Sequence, residues 1–152
     1  MTKESAYLKN FKTLCRTEPA REHLDDIERE LYGLGSDRAT VIMFAAFVET
    51  HLERLLLSKM RNLNFDDCQR LFGPDRGPLG DFSAKIIIAY ALKVIGPITK
   101  DDLDLIRLLR NGFAHSRMHF TFETPEVREV CEHFKLLTQF NIVIPADRSI
   151  RA

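Results

Sequence analysis

The fold of this chain is decided by one stretch of its sequence, Asp101-Asp-Leu-Asp-Leu-Ile-Arg-Leu-Leu-Arg-Asn-Gly-Phe-Ala-His-Ser116. An α-helix advances by about 100° per residue, so side chains three and four positions apart share a face. One such face is apolar and comprises Leu105, Ile106, Leu109 and Phe113. Arg107, Asn111 and His115 follow one another four apart on a different face. The pattern therefore predicts an amphipathic helix that packs on one side and presents polar groups on the other.

The second half of this stretch is locally basic. No acidic residue occurs between Leu105 and Phe122, and the basic side chains of the interval are Arg107, Arg110, His115, Arg117 and His119. The chain as a whole is neutral, with 22 Lys plus Arg against 22 Asp plus Glu. Because local positive charge attracts anions, we expect an anion-binding or ligand-binding site here. Its predicted members are Arg107, Arg110, His115 and Arg117, together with Lys85 from the preceding helix.

Two further helices are predicted to form the centre of the fold. Ser36 or Asp37 can cap a helix that runs to about Met60, because Ser and Asp side chains accept hydrogen bonds from free amides at a helix start. Its segment Val41–Val48 is apolar on every face, which is typical of a buried helix. The second central helix is predicted over residues 81–95 and is bounded by glycine and proline at both ends.

Glu49 is the residue that interrupts the apolar segment of the first central helix. A carboxylate in this position either faces water or pairs with a basic group, because an unpaired buried charge is costly. In the paired case, Arg107 or Arg110 is the predicted partner.

Shorter helices complete the predicted bundle. They are residues 3–16, residues 19–35, Phe65–Phe72 behind an Asn64 cap, residues 99–115 behind a Thr99 cap, and a final helix from Thr124 to about Phe140. The linker Gly73–Gly80 contains three glycines and two prolines, which indicates irregular structure. It lacks the Gly-Lys-Ser/Thr ending of a phosphate-binding P-loop.

These elements predict an all-α, single-domain bundle of five to seven helices with two buried central helices. The predicted layout is N-terminal helices over residues 1–35, a core bundle over residues 36–140 and a tail over residues 141–152. A chain of 152 residues is of the size of one domain.

Composition excludes several classes of protein. The three cysteines are far apart and form no CxxC pair, so we expect reduced thiols and a cytoplasmic protein. The longest apolar run, Val41–Val48, is too short to span a bilayer, and the amino terminus lacks the apolar core of a secretory signal. His115 and His119 are four apart, but no third metal ligand accompanies them. We therefore predict neither a metal nor another cofactor.

The segment Gly77-Pro-Leu-Gly-Asp-Phe-Ser-Ala-Lys-Ile-Ile-Ile-Ala-Tyr-Ala-Leu-Lys-Val-Ile95 leads into the second central helix, and Gly-Pro-Leu-Gly-Asp with Ser-Ala-Lys is its most specific part. With the Arg110 to His115 segment that follows, it resembles the mannitol operon repressor-like family of all-helical proteins, over roughly residues 36–120. The resemblance implies an intracellular regulator of transcription. No basic recognition helix of a helix-turn-helix is visible, so direct DNA binding is not expected. The predicted role is that of a regulatory module acting through protein partners or an anionic ligand.

Arg110, Asn111 and His115 also resemble the short motif of the HEPN superfamily. This resemblance implies a homodimer that joins two such motifs, and in active members a metal-independent endoribonuclease, in some cases a toxin. Acid–base chemistry on RNA needs a base near the ribose 2′-hydroxyl and a cation for the phosphate, which an imidazole and a guanidinium can supply.

Three roles for Arg110, Asn111 and His115 therefore stay open at the level of sequence. They can cap the helix end and stabilise neighbouring loops, since a cation is favourable at a helix carboxyl end. They can bind a ligand or RNA without turnover, or they can catalyse cleavage. We expect a homodimer through the face that bears Arg110 and His115.

Overall fold

The computed structural model describes Gly33, residues 35–74 and residues 77–139, and only these are discussed below. The chain clusters into two units, Met1–Gly33 and Leu34–Ala152, and the described helices belong to the second. They are α1 (Asp37–Lys59), α2 (Phe65–Phe72), α3 (Phe82–Ala91), α4 (Pro97–His115), α5 (Pro125–Glu132) and α6 (Leu136–Gln139). The described residues contain no strand, which confirms the predicted all-α class. The helices predicted over residues 3–16 and 19–35 and the tail over 141–152 lie outside the described residues.

Helix α1 begins and ends where the sequence predicts. Its cap is Ser36, whose Oγ accepts a hydrogen bond from the amide of Ala39 at 3.4 Å. One face of the helix enters the core and carries Val41, Ala45, Leu52 and Leu56. The opposite side exposes more than a third of each of three large apolar side chains, Met43, Phe44 and Phe47. The helix is thus central, with one buried side and one apolar outer side.

A tight glycine turn follows α2. Helix α2 is capped as predicted by Asn64, whose Oδ1 accepts from the Asp67 amide at 2.8 Å. Beyond α2, the amide of Gly77 donates to the Gly73 carbonyl and the amide of Gly80 donates to the Gly77 carbonyl, each at 2.9 Å. A Cβ added to Gly77 would lie 2.5–2.7 Å from three backbone atoms. The linker is therefore a close backbone crossing that requires glycine, and its bonded amides are directed at the main chain.

Helix α3 ends at Ala91, four residues before the predicted end. Lys93 adopts a left-handed conformation with φ 57°, and the amides of Lys93 and Val94 donate back to the carbonyls of Tyr90 and Ala89. This is the hydrogen-bond pattern of a Schellman cap, in which a lysine occupies the position usual for glycine. The early reversal allows Val94 and Ile95 to pack against the main core cluster. The prediction that this helix reaches residue 95 is wrong. The helix ends at Ala91 because Val94 and Ile95 pack into the core, and Gly96 does not end it.

Helix α4 begins at Pro97, with Gly96 as its cap residue. Thr99 lies inside the first turn, so the prediction of a Thr99 cap is wrong. Proline suits the first helical position because its φ is already fixed and its missing N–H has no partner to lose there. The helix ends at His115, as predicted.

The predicted final helix is interrupted. Helix α5 starts behind Thr124 as expected but ends at Glu132, and α6 begins at Leu136. The cause is Asp102 of α4, which is 3% exposed and whose carboxylate accepts hydrogen bonds from the amides of Lys135 and Leu136 at 2.9 Å. A buried carboxylate needs hydrogen-bond donors. The break between α5 and α6 leaves the amides of Lys135 and Leu136 free to donate to Asp102.

Two hydrophobic clusters are bridged by α4. The larger one contains Leu52, Leu56, Phe72, Phe82, Ile86, Ala89 and Leu103. The smaller one contains Val41, Phe113 and Val127, with Phe120 packed edge-on against Phe113 at 5.9 Å between ring centroids. Leu103 and Phe113 belong to opposite ends of α4, so this helix joins both clusters. The prediction that it lies against the two central helices is confirmed.

None of the described helices is both long enough and apolar enough to cross a membrane.

Replacing Gly77 by Ala tests the glycine turn. We expect Gly77→Ala to lower the free energy of unfolding by about 1–3 kcal/mol, because the new methyl group must displace main-chain atoms. Urea denaturation followed by circular dichroism measures the effect. The control is Gly35→Ala, where an added Cβ meets nothing within 4 Å and the expected change is within about 0.5 kcal/mol. Equal stability of the two variants would contradict the close backbone contact at Gly77.

Candidate functional site

The outer face of α4 is the first part of the candidate site. Leu108, Asn111, Gly112 and His115 follow one another at spacings of three, one and three residues, so they share one side of the helix. Leu103 and Phe113 are buried on the other side. Leu108 is 55% exposed and His115 is also exposed. We call these four residues the α4 outer face. It combines an apolar side chain, an amide and an imidazole.

Arg110 lies off this face. It is five positions from His115, which corresponds to a rotation of about 140° around the helix. Its Nη1 atom donates to Asn111 Oδ1 at 3.3 Å, and Arg110 is half-buried. The helix therefore groups His115 with Asn111, and Arg110 reaches that pair through its bond to Asn111.

Arg107 forms an ion pair with Asp104, which lies one turn earlier in α4. Its Nε atom lies 3.5 Å from Asp104 Oδ1, and that Nε is buried without a hydrogen-bond partner. Asp104 also accepts from Lys100 at 2.8 Å, and this bond raises the pKa of Lys100. Arg107 is thus part of a small charge network on α4 and not an isolated cation.

The loop after α4 is held by the first turn of α1. Arg38 donates to the carbonyls of Ser116 at 3.2 Å and Met118 at 2.8 Å. Asp37 accepts from the amide of Phe122 at 2.8 Å. Between these anchors the chain exposes three consecutive side chains, Arg117, Met118 and His119. We call these three residues the anchored loop. It begins two residues after His115, so His115, Arg117 and His119 are three exposed basic groups within five residues.

The sequence did not indicate Asp37 and Arg38 as members of the site. They are separated from the loop by about eighty residues, and nothing local distinguishes them from ordinary charged residues in a first helical turn. Only the packing of α1 against α4 brings them to the loop. Such a long-range hydrogen bond leaves no periodic signal in one sequence.

Lys85 occupies a different environment from the one expected. It is 5% exposed, and its Nζ atom lies 2.9 Å from both Glu49 Oε1 and Glu53 Oε2. Burial alone would lower the pKa of Lys85, but hydrogen bonds and charge from the two glutamates raise it above 10.5. Glu49 is therefore paired, as one of the two alternatives predicted. The predicted partners Arg107 and Arg110 are wrong, because Lys85 on the facing helix is the partner.

Metal-binding geometry is absent from the part of the chain that the structure describes. No group of three or more His, Cys, Asp or Glu residues there could hold an ion. Cys68 and Cys131 are free thiols, and burial raises the pKa of Cys131.

Comparison with known proteins identifies the fold. The sequence matches no family model and no curated protein. The structure is similar to the X-ray structure of the MtlR–HPr complex from Escherichia coli, with a TM-score of 0.62 and 22% sequence identity. The match covers 74% of this chain and 70% of the other. The chain has the MtlR fold. The resemblance to the mannitol operon repressor-like proteins is therefore confirmed for the fold.

The buried Lys85 gives the first prediction for this region. We expect Lys85→Met to lower the free energy of unfolding by about 2–4 kcal/mol, because two facing carboxylates lose their counter-ion while Glu53 keeps some access to water. Urea unfolding at neutral pH measures the loss. Lys100→Met is the matched control and should change stability less, because its ion pair with Asp104 is partly open to solvent. Similar effects of the two substitutions would contradict the buried triad.

The same triad predicts a dependence on high pH. Because the folded-state pKa of Lys85 is raised, its stabilising effect is complete below pH 10.5 and is lost as the pH rises through the folded value. The difference in unfolding free energy between the wild type and Lys85→Met should therefore shrink only above pH 10.5. Urea titrations of both proteins at several alkaline pH values measure this difference. A difference that already shrinks near neutral pH would contradict the raised pKa.

Proposed function

We propose that this protein is a cytoplasmic regulatory module that acts by binding a partner protein, with HPr as the first partner to test. The observation that carries the proposal is the MtlR fold, since MtlR occurs in the matched structure as a complex with HPr. A regulator of this kind alters transcription through its protein contact. It needs no DNA-binding motif of its own.

Charge supports a protein contact over direct DNA binding. The chain has equal numbers of acidic and basic residues, whereas DNA-binding domains usually carry a clear positive excess. The basic residues of α4 and its loop are few, and Arg107 is already paired with Asp104. The surface that remains is mixed, with exposed Leu108 and Met118 beside His115 and Arg117. Mixed apolar and polar surfaces are typical of protein interfaces.

An anionic ligand is the second candidate function. The anchored loop supports it, because Arg38 and Asp37 fix the backbone that carries Arg117 and His119. A fixed loop loses little conformational entropy when it binds. The sequence between Leu105 and Phe122 contains no carboxylate, and the Asp37 carboxylate at the loop accepts a hydrogen bond from the Phe122 amide. An RNA-cleaving role for Arg110, Asn111 and His115 stays a prediction from sequence.

Binding of HPr tests the main proposal. Isothermal titration calorimetry of the full chain with HPr from the same organism should show saturable binding with a Kd of about 1–100 μM, in the range of transient regulatory contacts. A gel shift with duplex DNA at physiological salt should show no complex. Absence of heat with HPr, together with tight DNA binding that weakens steeply with salt, would replace the proposal by direct repression.

The anionic ligand has its own test. Inorganic phosphate should shift the NMR resonances of Arg117 and His119, and the shift of His119 should disappear in Arg117→Ser. Arg61→Ser is the matched control, since Arg61 is an exposed arginine in the connection between α1 and α2. Equal phosphate shifts in both variants would contradict a site at the anchored loop.

A further inference from the structure

The main chain around the anchored loop is held by hydrogen bonds within the protein. Arg38 donates to the carbonyls of Ser116 and Met118, and the Met118 amide donates to Ser116 Oγ at 2.9 Å. The amide of Phe122 donates to Asp37 at 2.8 Å. Main-chain groups engaged in this way are not available to a ligand. The loop therefore recognises a ligand through its side chains.

The side chains of the anchored loop combine free positive charge with an exposed apolar group. Arg117 and His119 are exposed, and neither forms an ion pair or a hydrogen bond with another described residue. Met118 is 69% exposed, the highest value among the exposed large apolar side chains of the described residues. Glu123, the acid that follows the loop in sequence, is already paired with Arg128. The loop thus offers two unpaired basic groups, one on each side of a methionine in the sequence.

Arg38 removes an obstacle to anion binding at this position. The carboxyl end of a helix carries a partial negative charge, which disfavours anions. Helix α4 ends at His115, and Arg38 donates to the carbonyl of Ser116 directly beyond it at 3.2 Å. The guanidinium of Arg38 therefore offsets the negative end of α4 and fixes the backbone that leads into the loop.

We propose that the anchored loop binds a short acidic peptide segment in which glutamate or aspartate residues flank an apolar side chain. The carboxylates pair with Arg117 and His119, and the apolar side chain covers Met118. A guanidinium and a carboxylate match in charge and in planar geometry, and the flexible thioether of methionine adapts to varied apolar surfaces. The proposal rests on the second candidate function, the anionic ligand, and names the class of that anion.

A small inorganic anion uses this surface poorly. Phosphate sites in proteins often combine several main-chain amides that converge on the anion. Here the amides of Met118, Thr121 and Phe122 donate to Ser116, Thr124 and Asp37 instead. Phosphate also has no apolar part to cover Met118. We therefore expect an acidic peptide to bind more tightly than phosphate.

Single-stranded RNA also fits the loop less well than a peptide. Proteins that bind unpaired bases usually stack them on exposed aromatic rings. Phe120 and Phe122 are half-buried, and their ring centroids lie 5.9 Å and 6.1 Å from that of Phe113 in the smaller hydrophobic cluster. These phenylalanine rings are engaged in the core, and the chain as a whole is neutral. Charge and apolar contact together favour the acidic peptide.

NMR titration of the full chain with a short synthetic peptide of glutamate and leucine tests the proposal. The peptide should shift the amide resonances of Arg117, Met118 and His119 saturably, with a Kd of roughly 0.1–1 mM, as expected for a small exposed contact. The control is the same peptide with glutamine in place of every glutamate, which should give no saturable shift. Inorganic phosphate and a single-stranded oligouridine, titrated in the same way, should bind more weakly than the acidic peptide.

Variants of the loop locate the contact. Arg117→Ser should weaken binding of the acidic peptide about two- to fivefold, as for the loss of one exposed ion pair. Met118→Ser should weaken it about threefold or more through lost apolar contact. The matched controls are Arg61→Ser, in the connection between α1 and α2, and Leu92→Ser, beyond the end of α3, and both should leave the Kd unchanged. All four substitutions replace exposed side chains, and circular dichroism checks that the fold is retained.

Four results overturn the proposal. They are the absence of a saturable shift with the acidic peptide, equal binding of the glutamate and glutamine peptides, tighter binding of phosphate or oligouridine, and an unchanged Kd in either Arg117→Ser or Met118→Ser. A protein that binds phosphate at the loop but not the acidic peptide keeps the anionic-ligand function and loses this proposal. Calorimetry with HPr decides the main proposed function separately.

Discussion

A single buried lysine holds together the two apolar helices at the centre of this fold. Lys85 of α3 lies between Glu49 and Glu53 of α1, at 2.9 Å from each carboxylate. A buried ammonium without partners would be strongly destabilising, so α1 and α3 can pack only in the register that brings the glutamates to it. Apolar side chains alone tolerate several registers, because Leu, Ile and Val contacts are not directional. The triad therefore fixes which faces of α1 and α3 form the core.

Helix α4 connects the core to the exposed residues of the candidate site. Its inner side joins both hydrophobic clusters through Leu103 and Phe113, and its carboxyl end leads into the anchored loop. The first turn of α1 holds that loop through Asp37 and Arg38. Helix α1, whose glutamates pair with Lys85 in the core, thus also positions Arg117 and His119. A partner that binds at the loop would contact a surface with little freedom to rearrange, which favours affinity.

Local signals in the sequence were sufficient for most helices. Ser36 and Asn64 cap their helices as their side-chain chemistry predicts, and Pro125 starts α5. The errors occur where distant residues decide. Asp102 breaks the final helix by accepting from Lys135 and Leu136, and no periodicity in residues 124–140 reveals this. Likewise, Glu49 was recognisable as a carboxylate that needs a partner, but the choice between Lys85 and two arginines depends on packing.

The most direct test of the buried triad is the pKa of Lys85 itself, measured by NMR titration of its side-chain resonances. Two opposing effects act on this group, since burial lowers the pKa and the two carboxylates raise it. The structure predicts that the carboxylates prevail and that Lys85 titrates above 10.5, with an ammonium that stays protonated across the neutral range. A pKa far below 10.5 would contradict the triad, because burial would then act on Lys85 without the opposing charge of the two glutamates.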